Sequence, residues 1–152
     1  MCESPALIAS KDAKSAKDMA LIYSFGLGED TSFDEEMIKK YNSTVHGFDP
    51  TPRSSKHVEG RAAFLPECFF VMHHFGLNDR DGETKLYPPA NPKHVSHNQV
   101  PRNGSTPITA TLLRLATVLR MLGHRRVHLL KMDAVSSLQA EGAYRSTGPA
   151  AG

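Results

Sequence analysis

An α/β domain is the fold class this chain predicts, and three observations predict it. Short apolar runs alternate with helical stretches along the chain, the pattern of strands joined by helical crossovers in a parallel sheet. The first run, Leu21 to Phe25, ends in Gly26-Leu27-Gly28 and leads into a helix start. A second run, Val45 to Phe48, ends in Asp49, which stands 21 residues after Gly28. A strand, a glycine turn, a helix and a second strand closed by an acid are the layout that holds the adenosine part of a cofactor. The expectation is therefore a Rossmann-like parallel sheet with flanking helices.

Each element has its own signal. Residues 1–16 are rich in Ser, Ala and Lys and read as a flexible lead-in; the domain proper is expected over 17–133. Met19 to Phe25 is an apolar run closed by glycine, as in a strand buried on both faces. Thr31 and Ser32 suit a helix N-cap, Ser32-x-x-Glu35 fits a capping box, and Phe33, Met37, Ile38 and Tyr41 share one helical face. That helix should end near Asn42. Val45 to Phe48 is the second strand, stopped by Asp49-Pro50-Thr51-Pro52 because proline cannot donate to a ladder. Ser54 to Phe64 is a weak helical stretch. Cys68 to Phe75 is apolar and β-prone, so it is a third strand. Asn78-Asp79-Arg80-Asp81-Gly82 is a turn, which makes Thr84 to Tyr87 the return strand of a hairpin. Pro88 to Pro107 holds five prolines and reads as a long irregular loop. Thr109 to Leu122 carries an apolar stripe of Leu112, Leu113, Ala116, Leu119 and Met121/Leu122 and should be one helix, with Gly123 at its C′ position. Val127 to Met132 is a fourth strand, ending in Asp133. Residues 134–152 read as an unpatterned tail.

Composition narrows the function classes. The chain has 152 residues, 39% hydrophobic and 22% charged, with a net charge of +2. Its basic residues are scattered rather than banked, so no nucleic-acid partner is expected. No apolar stretch approaches the length of a bilayer span, so no membrane partner is expected either. Two cysteines, Cys2 and Cys68, do not make a disulfide scaffold. With no signal-like start, they point to a reduced, cytoplasmic setting.

The cofactor follows from what surrounds the glycines. A dinucleotide fingerprint would place a third glycine where this chain has Thr31, and Glu29-Asp30 at the loop exit would repel a pyrophosphate. Those acids suit S-adenosyl-L-methionine, which carries a sulfonium and an ammonium group and no phosphate.

Five motifs also form an ordered set: Tyr23-Ser24-Phe25-Gly26-Leu27-Gly28-Glu29-Asp30, Val45-His46-Gly47-Phe48-Asp49-Pro50-Thr51-Pro52, Phe75-Gly76-Leu77-Asn78, Tyr87-Pro88-Pro89 and Leu129-Leu130-Lys131-Met132-Asp133. In this set the chain resembles the FkbM-type methyltransferases, and more narrowly their eukaryotic methyltransferase-like branch, from about Leu21 to Asp133. The resemblance implies S-adenosyl-L-methionine as methyl donor and O-methylation of a hydroxyl on a sugar or small molecule. By position it implies Gly26, Gly28 and Glu29 at the methionine side, Asp49 at the ribose, Asn78 and Asp79 near the adenine, and Asp133 as the catalytic residue beside the transferred methyl. The family pattern continues after Lys-x-Asp with Glu-Gly and further strands. Here Ala134-Val135-Ser136-Ser137 follows, so a C-terminally truncated domain is expected. The alternatives are a non-catalytic cofactor-fold fragment or interaction module, and an NAD or nucleotide-sugar binding domain.

Other polar features have simpler readings. Asp49 also suits an Asx cap before two prolines. His73 and His74 alternate in a strand, where structural histidines are common. His94-x-x-His97 with His46 lacks an acid or cysteine at ligand spacing, so no metal is expected.

Overall fold

The computed structural model describes residues 19–88 and 104–133. The expected lead-in, most of the proline-rich loop, the tail, and His94 and His97 lie outside the described residues. Ten elements follow in order: β1 Leu21–Phe25, α1 Ser32–Tyr41, β2 Thr44–Phe48, α2 Pro52–Gly60, β3 Phe70–His73, β4 Gly76–Leu77, β5 Gly82–Leu86, β6 Ile108–Leu113, α3 Leu115–Leu122 and β7 Leu129–Met132. Four of the strands form a parallel sheet in the order β3-β2-β1-β7. With its flanking helices this is an α/β architecture, as the alternating apolar runs predict. β1 lies between the sequence-adjacent β2 and the sequence-distant β7. The crossovers therefore diverge beside β1, where α/β sheets leave a crevice.

Register explains the core. Ile22, Val45 and Phe70 are aligned across three strands, and their side chains share one face. They bury with Leu27, Ile38 of α1, Leu65 and Phe69. Tyr23, Phe25 and Phe48 point to the other face and bury against Val118 of α3, with Leu115, Leu119 and Leu122 packed around them. Gly47 belongs to the first face because a larger residue would not fit. A Cβ there would stand 2.5 Å from the Phe70 ring and 2.9 Å from Leu27.

Caps fix the helix ends. Asn42 closes α1 in the left-handed conformation and Gly123 closes α3 the same way. Thr51 caps α2, and Pro52 stands in its first turn. The capping box proposed at Ser32-x-x-Glu35 is not formed. Thr31 is the N-cap, and its hydroxyl donates to Glu35 Oε1 at 3.0 Å. Arg61 grips the same carboxylate through two nitrogens.

Two expected elements are corrected. Thr109 to Leu122 is not a single helix: Ile108–Leu113 is a strand, and only Leu115–Leu122 is helical. The residues carried a period-two signal, with Ala110 and Leu112 buried and Thr109 and Thr111 exposed. Ala116 and Met121, assigned to the apolar stripe, face outward. The hairpin between the third strand and Thr84 to Tyr87 is also absent. β3 pairs with β2, whereas β5 pairs antiparallel with β6 and β4 pairs parallel with it, in a second sheet of order β4-β6-β5. The Asp81 carboxylate ties this sheet to α3, accepting from the Arg114 backbone N–H at 2.7 Å and the Thr117 hydroxyl at 2.8 Å.

One acid is buried against the pattern. Asp34, on the sheet-facing side of α1, is 0% exposed, and neither carboxylate oxygen has a hydrogen-bond partner. The nearby Ser24 hydroxyl closes no bond of good geometry to it. Burial pushes the Asp34 carboxyl above the ordinary value of 3.8, offset only in part by Ser24 and the charge of Lys131. A raised native value means the folded state holds the proton more tightly than the unfolded state. Stability is therefore lost as pH rises above about 4. Asp34→Asn removes the ionisation, and chemical denaturation at pH 8 should show a gain of about 1–2 kcal/mol that disappears near pH 3.5. A loss at pH 8 would mean that the ionised carboxylate is compensated.

Candidate functional site

A cavity of about 480 Å³ opens at the C-terminal ends of β1 and β7, lined by Gly26, Leu27, Gly28, Glu29, Asp30, Ser32, Phe33, Lys131 and Asp133. Its floor is the glycine loop. Gly26 and Gly28 have φ values of 77° and 57°, a region in which a side chain is strained. These angles turn the loop sharply from β1 toward α1. The Gly26 N–H donates to the Phe48 carbonyl at 2.9 Å, which pins the loop to the end of β2.

Asp49 holds the next turn of the loop. Its Oδ2 accepts from the Gly28 N–H at 3.0 Å. Its Oδ1 accepts from the Thr51 N–H at 2.8 Å and from the Thr51 hydroxyl at 2.6 Å. The spacing places Asp49 at a ribose; in the structure it bonds the Gly28 turn, and its contact with the Thr51 N–H is the Asx turn of the simpler reading. Asp49 is 5% exposed and lies behind the loop rather than in the cavity lining. Oδ2 keeps a second lone pair, while Oδ1 is fully occupied.

The walls are acidic. Three carboxylates, Glu29, Asp30 and Asp133, face one lining cation, Lys131. Glu29 also meets Arg53 of α2 at 2.5 Å. Asp30 accepts from the Ser32 N–H at 2.9 Å, and its hydrogen bonds to Ser32 hold its carboxyl below the ordinary value of 3.8. Lys131 Nζ meets Asp133 Oδ2 at 2.7 Å and lies 5.8 Å from the centre of the Phe33 ring. Lys131 is 20% exposed and Asp133 69%, so the pair runs from the cavity wall to solvent. The Asp133 N–H donates to the Phe25 carbonyl at 3.0 Å, which fixes the end of β7 beside the glycine loop.

Of the residues singled out in the sequence, Gly26, Gly28, Glu29 and Asp133 come together around the cavity, with Asp49 behind them. Asn78 and Asp79 do not join them. They follow β4, where the Asn78 N–H donates to the Leu113 carbonyl at 3.0 Å and Asp79 meets Arg80 at 3.5 Å. Ser32 and Phe33 were assigned to the helix alone but also line the cavity. Their position directly after the glycine loop was the signal available for this.

A second polar cluster lies on the α3 face of the sheet. His46 and His73 stack at 13° and share a hydrogen bond of 2.9 Å between ring nitrogens. His124 stands edge-on to His46, with ring centres 4.9 Å apart, and shares a 2.6 Å hydrogen bond with the Tyr23 hydroxyl. Burial, then the neighbouring histidine charges, lowers His46 from 6.5 to about 4, and His73 is lowered for the same reasons. Among the described residues no three His, Cys, Asp or Glu side chains are set to hold a metal ion. No described helix is long and apolar enough to cross a membrane. Comparison of the chain with known protein families, characterised proteins and solved structures finds no match.

Proposed function

We propose that the chain binds S-adenosyl-L-methionine in the cavity at the ends of β1 and β7 and serves methyl transfer to a hydroxyl of a sugar or small molecule. The observation that carries this reading is the acidic cavity built on a glycine loop whose N–H is held by an acid at the end of the next strand. The sheet order, with the two following strands on one side of β1 and the fourth on the other, agrees with a Rossmann-like half-domain. Three carboxylates, set against Lys131 and against Arg53 beside Glu29, leave the site negative by one charge, which favours a ligand with a sulfonium and an ammonium group over one with a pyrophosphate. Lys131 is the cation in reach of the ligand's own carboxylate. The resemblance to FkbM-type methyltransferases in the glycine, aspartate and Lys-x-Asp motifs supports the same assignment.

The donor supplies an activated methyl group, so the protein's part is to position and to move a proton. The glycine loop lets the ligand approach the backbone without an intervening Cβ, its shape fixed by the Gly26 and Gly28 N–H groups that donate to Phe48 and Asp49. Asp133, at the solvent side of the cavity, is in place to accept the proton of an incoming hydroxyl, with Lys131 holding its carboxylate in orientation. The family motifs place the ribose at Asp49, where the second lone pair of Oδ2 is the acceptor still available. An adenine contact with Asn78 or Asp79 has no support from the cavity lining.

The setting we infer is cytoplasmic, on the low cysteine count of the chain. A cofactor-fold fragment acting as an interaction module gains from β7, which is an edge strand of the four-stranded sheet and exposes Leu129, Leu130 and Met132.

Isothermal titration with S-adenosylhomocysteine and, separately, with NAD tests the ligand. Saturable heat with S-adenosylhomocysteine and none with NAD is expected; binding of NAD alone would overturn the assignment. If S-adenosylhomocysteine binds while a panel of hydroxylated acceptors takes no labelled methyl, the module reading replaces the enzyme.

A further inference from the structure

The histidine cluster and the cavity share one line of hydrogen bonds. The His73 carbonyl, at the end of β3, accepts from the Asp49 N–H at 3.0 Å. The Asp49 carboxylate in turn holds the Gly28 N–H at 3.0 Å. Phe48 stacks on the His73 ring at 4.7 Å, and its carbonyl holds the Gly26 N–H at 2.9 Å. The position of β3 on β2 therefore bears on both glycines of the loop. β3 has four residues and, among the described residues, pairs only with β2, so it is among the easier strands to release.

We propose that His46 and His73, with His124 packed edge-on against His46, form a proton-sensitive latch: when His46 and His73 take up protons, β3 parts from β2 and the Asp49–Gly28 clamp under the cavity opens. The groups that face the cluster are Tyr23 from β1, His46 from β2, His73 and His74 from β3 and its following turn, and His124 after α3. The charges acting on His46 are those of His73 and His124, and those acting on His73 are of His124 and His74. No carboxylate is among them, so an added proton has no counter-ion. One proton is accommodated in the His46–His73 hydrogen bond; a second sets two imidazolium N–H groups against each other across the same 2.9 Å gap.

The sign follows from the lowered native values. Between about pH 6.5 and about pH 4 the opened form binds more protons than the closed form, so acid favours opening. For each proton taken up, the opening constant changes by up to about tenfold per pH unit. The latch does not depend on the identity of the ligand, because it is read without one.

Amide hydrogen exchange on the whole chain at pH 7.5 and pH 5.0, corrected for intrinsic rates, is the test. Protection at the Asp49 and Gly28 amides should fall at least about tenfold, while the ladder between β1 and β7 keeps its protection. In the double variant His46→Gln/His73→Gln the fall should be absent. Unchanged protection, a fall spread evenly over the sheet, or a fall retained in the double variant overturns the proposal. Should that variant fail to fold, the His73 ring proton and the Gly28 amide proton of the wild-type chain are followed by NMR across pH 4 to 8. A shared midpoint below 6.5 supports the latch, and separate midpoints overturn it.

Discussion

Asp49→Ala is expected to cost about 2–4 kcal/mol of folding stability and to weaken S-adenosylhomocysteine binding by at least about tenfold. The carboxylate accepts three hydrogen bonds, from the Gly28 N–H, the Thr51 N–H and the Thr51 hydroxyl, and is nearly buried. Alanine leaves these donors without an acceptor, and each buried donor left unpaired costs about 1–3 kcal/mol, with part recovered by water. Loss of the clamp also lets the Gly28 turn wander, which removes the preorganised floor of the cavity. Urea denaturation gives the stability and calorimetry on the folded fraction gives the affinity. A large stability loss with unchanged affinity would leave Asp49 as a structural clamp and refute its ribose role. Unchanged stability would contradict the hydrogen bonds themselves.

Phe48→Ala should cost still more, about 3–5 kcal/mol, the usual range for a buried aromatic cut back to a methyl group. Phe48 is 0% exposed. It stacks on Phe25 with ring centres 4.3 Å apart and lies 4.7 Å from His73 and 4.9 Å from Tyr23. The cavity this substitution leaves is central, touching β1, β2, β3 and α3, so little collapse is available to fill it. Phe48→Leu, which keeps most of the volume, should lose clearly less. The measurement is the urea midpoint at pH 7.5, with the m-value checked for constancy. A loss below about 1 kcal/mol for the alanine variant would show that this face of the sheet is not close-packed.

The parts of the fold that were legible in the sequence are those with a local physical cause. The four parallel strands are short apolar runs bounded by glycine, proline or an acid; β1, covered on both faces, needs apolar side chains on both, whereas β7 has the same pattern with its apolar residues exposed. Gly28 and Asp49 were legible as positions, a glycine turn and an acid closing the next strand, but the hydrogen bond between them was not. Asn42 and Gly123 ended their helices for the same local reason. The second sheet was not legible. Ile108–Leu113 has leucines that suit a helix as well as a strand, and its pairing with Gly82–Leu86 joins residues that only the tertiary structure brings together. Nor was the histidine cluster. Tyr23 and His124 are 101 residues apart, and no spacing rule links them. Asn78 and Asp79 show the opposite error: a motif after an apolar run was assigned to the cavity, whereas its strand belongs to the other sheet. Asp34 was hidden because a carboxylate on a helix is read as a solvent-facing residue.

β7 governs how the protein behaves in concentrated solution. Met132 is 53% exposed, Leu129 43% and Leu130 37%, on a strand whose inner edge alone is paired, with β1, among the described residues. An edge of this kind is a template that any extended apolar segment can lengthen. Self-association at high concentration is therefore expected to start at β7, and light scattering against concentration measures it. A single lysine in place of Leu130 gives a handle on it, because charge on an edge strand opposes sheet-to-sheet growth without touching the glycine loop.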